Sequence, residues 1–200
     1  MSSYPPLPLI PSQVEAAFQS YTAQLLGLDI TQLATWNSVR IGWQQQGQPA
    51  WGINDDVCVI RSVQEDNPYD KQRDRGNSAN NTETVQEIDT YIRVWRVFWA
   101  FYGPNSFDHA RIIESGLFLD FQYPDIINVN LNLVTSITAP LRAPELFAKQ
   151  WWERVDFSAL FNELVTENRI VSTVASVNLE IIDANTTLAD PLVDLEIQGD

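Results

Sequence analysis

The stretch IDTYIRVWRVFWAFY, residues 88–102, is the part of the sequence that decides the fold. It is filled with aromatic and β-branched side chains, and these residue types favour strands. Ordinary strands have about 3–10 residues, so the run predicts a long strand that bends or extends past its own sheet. Its two faces alternate as Ile88, Ile92, Val94, Phe98 and Tyr102 against Tyr91, Trp95, Val97, Trp99 and Phe101. Both faces are apolar toward the end of the run, which predicts cover on both sides, by helices or by another subunit.

A helix is predicted directly after this strand. Pro104 and Asn105 open it, and it is expected to end near Ser115 and Gly116. Helical spacing places four apolar residues on one face: Phe107, Ala110, Ile113 and Leu117. A strand followed at once by a helix of this kind indicates an α+β fold.

A second helix is predicted near the start of the chain. Ser12 is the predicted N-cap, Glu15 follows three residues later, and the helix is expected to end near Gly27. The apolar stripe of this helix consists of Val14, Phe18, Tyr21 and Leu25. The stripe predicts packing against a sheet or a neighbouring helix.

Further strands are predicted at Val39–Trp43, Val57–Val63, Ile126–Thr138 and Val171–Ile182. The first two, joined by a segment rich in turn residues, are expected to form a hairpin with a long connection. Residues 153–165 are ambiguous, since their apolar positions fit a strand as well as a helix, and periodicity alone slightly favours the helix.

A polar segment, residues 64–87, interrupts the apolar pattern. Tyr69 and Val85 are nearly its only residues suited to burial. Long segments of this kind are either functional loops or disordered until a partner binds. Both interpretations stay open: plain disorder, or a projecting finger.

The charge of the chain is strongly negative, with a formal net charge of −14. Proteins that grip nucleic-acid phosphates need a basic face, so this class is excluded. Residues 101–200 hold 15 acids and 5 bases, whereas residues 1–100 hold 11 acids and 7 bases. An acidic, solvated surface is the simplest interpretation.

Neither targeting nor disulfide bonding is predicted. Cys58 is the single cysteine, which excludes an internal disulfide, and the residues VCVI around it predict a small core residue on a strand. The start of the sequence has no signal-peptide pattern, and no apolar run approaches the length of a membrane span. We therefore expect a soluble, untargeted chain without membrane contact.

Catalytic patterns are not evident in the sequence. His109 is the single histidine and is predicted on a helix surface. The sequence therefore lacks the spaced histidines and cysteines that are typical of a zinc site. Asp55 and Asp56 are adjacent carboxylates, but capping of a turn explains them better than acid and base catalysis. No glycine-rich phosphate loop is present. We expect no enzyme, cofactor or metal; a hydrolase that uses Asp55, Asp56 and His109 is the competing hypothesis.

Tryptophan is abundant, with seven residues in the chain. Core packing accounts for most of them, although tryptophan and arginine also dominate the centres of protein interfaces. Trp36, Trp43 and Trp51 flank polar loops. Trp151 and Trp152 are adjacent and cannot both point into one core if the chain is extended there. One of this pair is therefore a candidate interface anchor.

The order of these pieces resembles the neck and tail terminator proteins of tailed bacteriophages. The resemblance covers roughly residues 10–182 and rests on VRIGW, VCVIRSVQ, YIRVWRVFWAFYGPNSFDHARIIESGL and WWERVDF. It implies a mixed, largely antiparallel sheet with helices packed on one face, to which the segment 64–87 of this sequence is expected to add a long projecting loop or hairpin. It also favours a strand for residues 153–165. The segment 64–87 and the acidic C-terminus depart from the family pattern.

The resemblance also implies a function. It predicts a structural virion protein, assembled in the host cytoplasm, whose homohexameric ring caps the tail tube and joins it to the neck connector. Expected partners are further copies, the tail tube protein, a connector or stopper protein and a sheath protein, with DNA passing through the lumen without specific binding. A tail tube or baseplate interaction module is the alternative.

Interface and lumen residues follow from this expectation. The predicted interface residues are Trp95, Trp99, Trp151, Trp152, Arg154, Arg93 and Tyr69. Acidic residues lining a DNA channel are expected to be Glu65, Asp66, Asp70 and Asp74, because like charge repels phosphate. The predicted organisation is an extended arm (1–11), one domain (12–182) and an acidic tail (183–200).

Overall fold

A computed structural model of the chain describes residues 8–32, 37–42, 51–66, 68, 72–79, 84–118 and 129–172. The elements in chain order are α1 (Pro11–Leu25), β1 (Val39–Ile41), β2 (Val57–Glu65), β3 (Asp74–Ala79), β4 (Thr84–Tyr102), α2 (Ser106–Phe118), β5 (Leu131–Ile137), β6 (Leu141–Arg142), β7 (Glu145–Phe147), β8 (Gln150–Trp152) and β9 (Arg154–Ser172). The fold is α+β with a mixed, largely antiparallel sheet, as the sequence predicts.

The chain divides into two compact units. Of the described residues, the larger unit comprises those between 8 and 73 and between 91 and 165, and the smaller unit comprises those between 74 and 90 and between 166 and 172. In the larger unit the strands lie in the order β1-β2-β4-β9-β5, with β6 paired to β9, and β7 and β8 form a separate two-stranded sheet. Helices α1 and α2 belong to this unit.

One face of the larger unit's sheet holds its main core. Alternate residues of β4 and β9 point to this face, and α1 and α2 cover it. Trp99 packs edge-on against Phe18 with ring centres 5.5 Å apart, and its indole N–H donates to the Thr22 hydroxyl at 2.9 Å. The apolar stripe predicted for α1 is buried here through Val14, Phe18 and Tyr21. Burial of this apolar surface between the helices and the sheet stabilises the fold.

The helix ends differ from the prediction. Ile10, not Ser12, is the N-cap of α1, and the Gln13 side chain accepts the Ile10 N–H at 3.0 Å. Pro11 occupies the first helical position, where its missing N–H costs nothing. Helix α2 continues through Gly116 to Phe118 and does not end at Gly116. The missing side chain of Gly116 lets Leu25 of α1 approach closely. A Cβ at residue 116 would lie 2.6 Å from a Leu25 methyl carbon.

Two strand predictions need correction. The expected hairpin between β1 and β2 is wrong, because Val39 to Ile41 pair in parallel with Cys58 to Ile60. The slight preference of periodicity for a helix at 153–165 is also wrong, since β9 is a continuous strand paired with β5. Pairing with β5 therefore makes residues 154–165 a strand, which local periodicity could not decide. This is the strand that the family resemblance favours.

The smaller unit contains a hairpin within the polar segment 64–87. Residues Asp74 to Ala79 pair antiparallel with Thr90 to Val85 of β4. Arg169 of β9 donates from Nε to the Glu87 carboxylate at 2.7 Å in the same unit. Residues 74–79 and 84–87 of this segment therefore lie in strands.

Several predictions fall outside the described residues. These concern Trp36, Trp43, Tyr69, Asp70, the arm residues 1–7, the strand from residue 173 to 182 and the acidic tail 183–200. No helix in the described parts of the chain has the length and apolar character needed to cross a membrane.

Candidate functional site

The second face of the larger unit's sheet is where the candidate site lies. Val57, Val59, Arg61 and Val63 of β2 share this face, and Phe98 lies directly opposite Arg61 in the register. Both helices pack on the other face, so this one is called the open face below. Phe98 keeps 41% of its surface exposed, which is unusual for a phenylalanine on an inner strand.

A groove of about 650 Å³ runs over the open face. Val59, Val63, Phe98 and Leu141 form its apolar part. Leu141 belongs to β6, and its side chain is 66% exposed. The backbone around it is fixed because the Thr138 hydroxyl donates to the Ser158 carbonyl at 3.1 Å. The groove therefore presents apolar surface on a rigid floor.

The β7–β8 hairpin covers the end of the open face beside this groove. Its register pairs Glu145 with Trp152, Leu146 with Trp151 and Phe147 with Gln150. Trp152 is only 8% exposed and packs with Phe147 onto Val57, Val59 and Tyr102. Trp151 points the other way and is 67% exposed. The sequence predicts that only one of the two tryptophans is free for an interface, and this geometry identifies Trp151.

A cluster of polar side chains fixes the hairpin to the sheet. Arg154 donates to both oxygens of Asp156 at 2.7 and 3.0 Å, and a third N–H reaches Glu145 at 2.9 Å. The Tyr102 hydroxyl donates to the same Glu145 oxygen at 2.9 Å. Burial and this hydrogen bond raise the pKa of Tyr102. Burial disfavours the charged guanidinium, but the hydrogen bonds to Asp156 and Glu145 and the electrostatic interactions with Tyr102 and Asp156 together outweigh it, so the pKa of Arg154 is raised. Arg154 therefore positions the hairpin and stays charged.

Trp95, Trp99 and Arg93, which the sequence places at an interface, lie elsewhere. Both tryptophans are 1% exposed beneath the helices, so they belong to the chain's own core. Trp95 donates its indole N–H to buried Glu163 at 2.7 Å, and Glu163 also accepts the Leu9 N–H at 2.8 Å. Arg93 lies 3.6 Å from this carboxylate and donates to the Leu9 carbonyl. These contacts hold Leu9, which precedes α1, against the sheet.

The predicted lumen acids have different surroundings. Glu65 forms an ion pair with Arg96, so its charge is largely compensated. Asp66 is exposed at the end of β2, and Asp74 is exposed at the start of β3 in the smaller unit. The lumen role remains a prediction for Asp66 and Asp74.

The candidate catalytic residues occupy structural positions. Asp56 accepts the Asn105 backbone N–H at 2.9 Å and the Asn105 side-chain amide at 2.7 Å. Asp55 accepts the Gly52 N–H at 2.7 Å. The contact of Asp55 is that of a turn cap, as the sequence indicates. Asp56 instead binds Asn105, 49 residues along the chain, just before α2. Cys58 is buried in the core, and burial raises the pKa of its thiol. No cluster of three metal-ligating side chains occurs among the described residues.

Two features were missed at the level of sequence. Arg61 is a charged residue among the valines of one face of β2. A charge at this position indicates that the open face is accessible to solvent there. Glu163 likewise interrupts an apolar alternation through Val155, Phe157 and Phe161, which signals a buried carboxylate that needs donors.

Comparison with known proteins identifies one family. A family model described as phage neck terminator protein matches residues 12–189. No protein with a curated description matches the sequence.

Proposed function

Because the chain belongs to the phage neck terminator protein family, we propose that it is a ring subunit that caps the tail tube at the phage neck. A neck terminator is a structural component of the virion and works in contact with other neck and tail components. The finer proposal is a homohexamer, assembled in the host cytoplasm, that joins the tail tube to the connector or stopper protein. In a contractile tail the sheath protein would be a further partner.

The observation that supports self-assembly is the open face. An α+β domain normally covers each apolar sheet face with another layer. Here one face keeps Phe98, Val63 and Leu141 accessible in a groove, beside the exposed Trp151. Contiguous apolar surface of this kind marks an interaction site.

The negative charge supports passage of DNA through the ring. Acidic side chains repel phosphate over about 10 Å at 0.1 M salt, so an acidic lumen would let DNA pass without sticking. Asp66 and Asp74 are exposed candidates for this lining. We further propose that residues 12–182 build the ring, with the acidic tail (183–200) outside it. Of the predicted arm (1–11), only the residues before Leu9 are proposed to lie outside, because Leu9 binds Glu163 and Pro11 begins α1.

The proposal is tested by deleting the gene from its phage and supplying a tagged copy from a plasmid. We expect filled heads and separate tail tubes in electron micrographs without the protein, and infectious particles when it is supplied. Label on the tag should lie at the junction of head and tail. Infectious virions without the protein would contradict the proposal, and label at the distal end would favour the baseplate alternative.

A further inference from the structure

We propose that the hairpin of one subunit docks into the groove of the next, with Trp151 and Leu146 on the apolar floor and Glu153 against Arg61. This inference rests on the proposed ring and names the two surfaces that build it. The hairpin surface (Leu146, Trp151 and Glu153) is called the knob below.

The knob is a rigid, exposed patch. Leu146 and Trp151 are cross-strand partners, and both are more than half exposed. Glu153 follows Trp151 by two residues, and it is exposed while the intervening Trp152 is buried. Because alternate residues of an extended chain point the same way, we place the Glu153 side chain on the same side of the chain as the Trp151 indole. Trp152 and the Arg154 cluster hold the hairpin backbone in place, so little backbone entropy is lost on docking.

The groove complements the knob in chemistry. Its floor carries Val63 and Phe98, its wall carries Leu141, and Arg61 stands directly across from Phe98. Arg61 is exposed, and its side chain has no ion-pair partner in the part of the chain that the structure describes. The knob therefore offers one acid and two apolar side chains to a largely apolar groove, in which Arg154 and Asp156 pair with each other and Arg61 is the base left for the acid.

Size and charge both favour a second copy as the occupant. A groove of about 650 Å³ can receive an indole and an isobutyl group together, since pockets of about 300–1,000 Å³ enclose whole small ligands. A guanidinium beside tryptophan adds a cation–π attraction. Charge pairing between Arg61 and Glu153 fixes the orientation in which the two copies meet.

The arrangement also suits a ring. The knob and the groove consist of different residues, so their contact is heterologous and leaves one free knob and one free groove after each addition. Heterologous contacts generate closed rings when the rotation between neighbours closes. A stable interface buries about 800 Å² per partner. The three side chains of the knob cannot supply that area alone, so the rest of the open face must contribute.

Disulfide trapping tests which surfaces meet. A Cys58→Ala chain with Leu146→Cys and Val63→Cys keeps Trp151 in place, and oxidation should give a ladder of covalent dimers, trimers and larger species up to the ring. Each cysteine alone serves as the control and should give no ladder. Rings that assemble without the ladder would overturn the knob and groove while leaving the proposed function intact. Absence of the protein from virion necks would instead overturn the proposed function, and a ladder that stops at the dimer would exclude the head-to-tail contact.

Charge exchange tests the orientation. Arg61→Glu and Glu153→Arg should each weaken association by about tenfold or more in sedimentation velocity, and the double variant should recover to within about threefold of the natural chain. Arg111→Glu makes the same charge change at an exposed position of α2 and, at about 0.15 M salt where distant charges are screened, should have no effect. Equal losses in all three single variants, or no recovery in the double variant, would contradict the pairing.

The two tryptophans give a matched comparison. Trp151→Ala should abolish assembly while leaving the unfolding of the monomer unchanged, whereas Trp152→Ala should destabilise the monomer itself. Removal of residues 183–200 should leave assembly in place. Loss of assembly on that removal, with the charge-exchange variants unaffected, would assign the groove to the acidic C-terminal segment and overturn the proposal.

Discussion

At the scale of single residues, the buried side chain of Glu163 holds the residues that precede α1 against the sheet. It is 4% exposed and accepts N–H groups from Trp95 and Leu9. Glu163→Ala would leave both donors without an acceptor and Arg93 without its ion pair, so we expect a loss of about 3 kcal/mol in the free energy of unfolding. Urea unfolding followed by tryptophan fluorescence measures it.

The control for this prediction is Glu153→Ala. Glu153 is exposed, so its removal should change the free energy of unfolding by less than about 0.5 kcal/mol. Glu163→Gln should fall between the two variants, because the amide keeps one acceptor oxygen. Similar losses for Glu153→Ala and Glu163→Ala would mean that the buried contacts contribute nothing.

A second prediction at this scale concerns alkaline pH. Burial raises the pKa of the Cys58 thiol, and burial with the bond to Glu145 raises the pKa of Tyr102. In the unfolded chain these groups lose their protons at about pH 8.5 and 10. The folded state therefore holds protons that the unfolded state has released, and the free energy of unfolding should fall as pH rises through this range.

Variants separate the two contributions to the pH dependence. Cys58→Ala should flatten the decline between about pH 8.5 and 10, and Tyr102→Phe should flatten it above about pH 10. Both replacements also remove contacts, which lowers stability at every pH and does not alter the slope. Curves that run parallel to that of the natural chain would show that neither group is protected by folding.

The sequence predicts single residues well where burial follows from hydrophobicity. Cys58 as a core residue and the opposite directions of Trp151 and Trp152 follow from strand alternation, and the structure places them accordingly. The alternation cannot say which tryptophan faces inward, because the parity depends on how β8 pairs with β7. Glu163 escapes prediction since its donors lie 68 and 154 residues away in the chain.

At the scale of elements, the junction between β4 and α2 depends on Gly103. Its φ is +98°, and a Cβ there would lie 2.6 Å from both the Asp55 carbonyl oxygen and an Asp56 carboxylate oxygen. Gly103→Ala should therefore cost about 3 kcal/mol of stability, from backbone strain and the clash together. Thermal and urea unfolding of the purified variant would measure the loss.

Two other glycines distinguish the effect of backbone strain from the effect of the steric clash. Gly27 has a φ of +69° but open space around it, so Gly27→Ala should cost only about 1 kcal/mol from strain. Gly76 has open space and no such φ, and Gly76→Ala should be neutral or slightly stabilising. A different order of the three losses would contradict the assigned roles.

The elements show what local sequence can decide. The apolar alternation of β4 is long enough to predict its strand and both faces. Residues 153–165 carry a pattern that fits two periods, and only pairing with β5 and placement beside β4 make them a strand. The parallel pairing of β1 with β2 likewise depends on where α1 packs, which short strands do not encode.

At the scale of the whole molecule, the net charge of −14 predicts how assembly responds to salt. Subunits of like charge repel one another, and the repulsion reaches about 30 Å at 0.01 M salt but only about 8 Å at 0.15 M. The attraction between Arg61 and Glu153 acts at contact distance and is one pair per interface, so the repulsion should dominate. Association measured by sedimentation should therefore strengthen from 10 to 150 mM salt.

The acidic C-terminal residues provide the means to check this balance. Residues 183–200 contain five acids and no base, so a chain that ends at residue 182 has a net charge of −9. Its assembly should depend less on salt and should be stronger than that of the full chain at 10 mM. If association instead weakens steadily with salt in both chains, the local attraction outweighs the net charge, and the acidic residues then lie too far from the subunit contacts to oppose them.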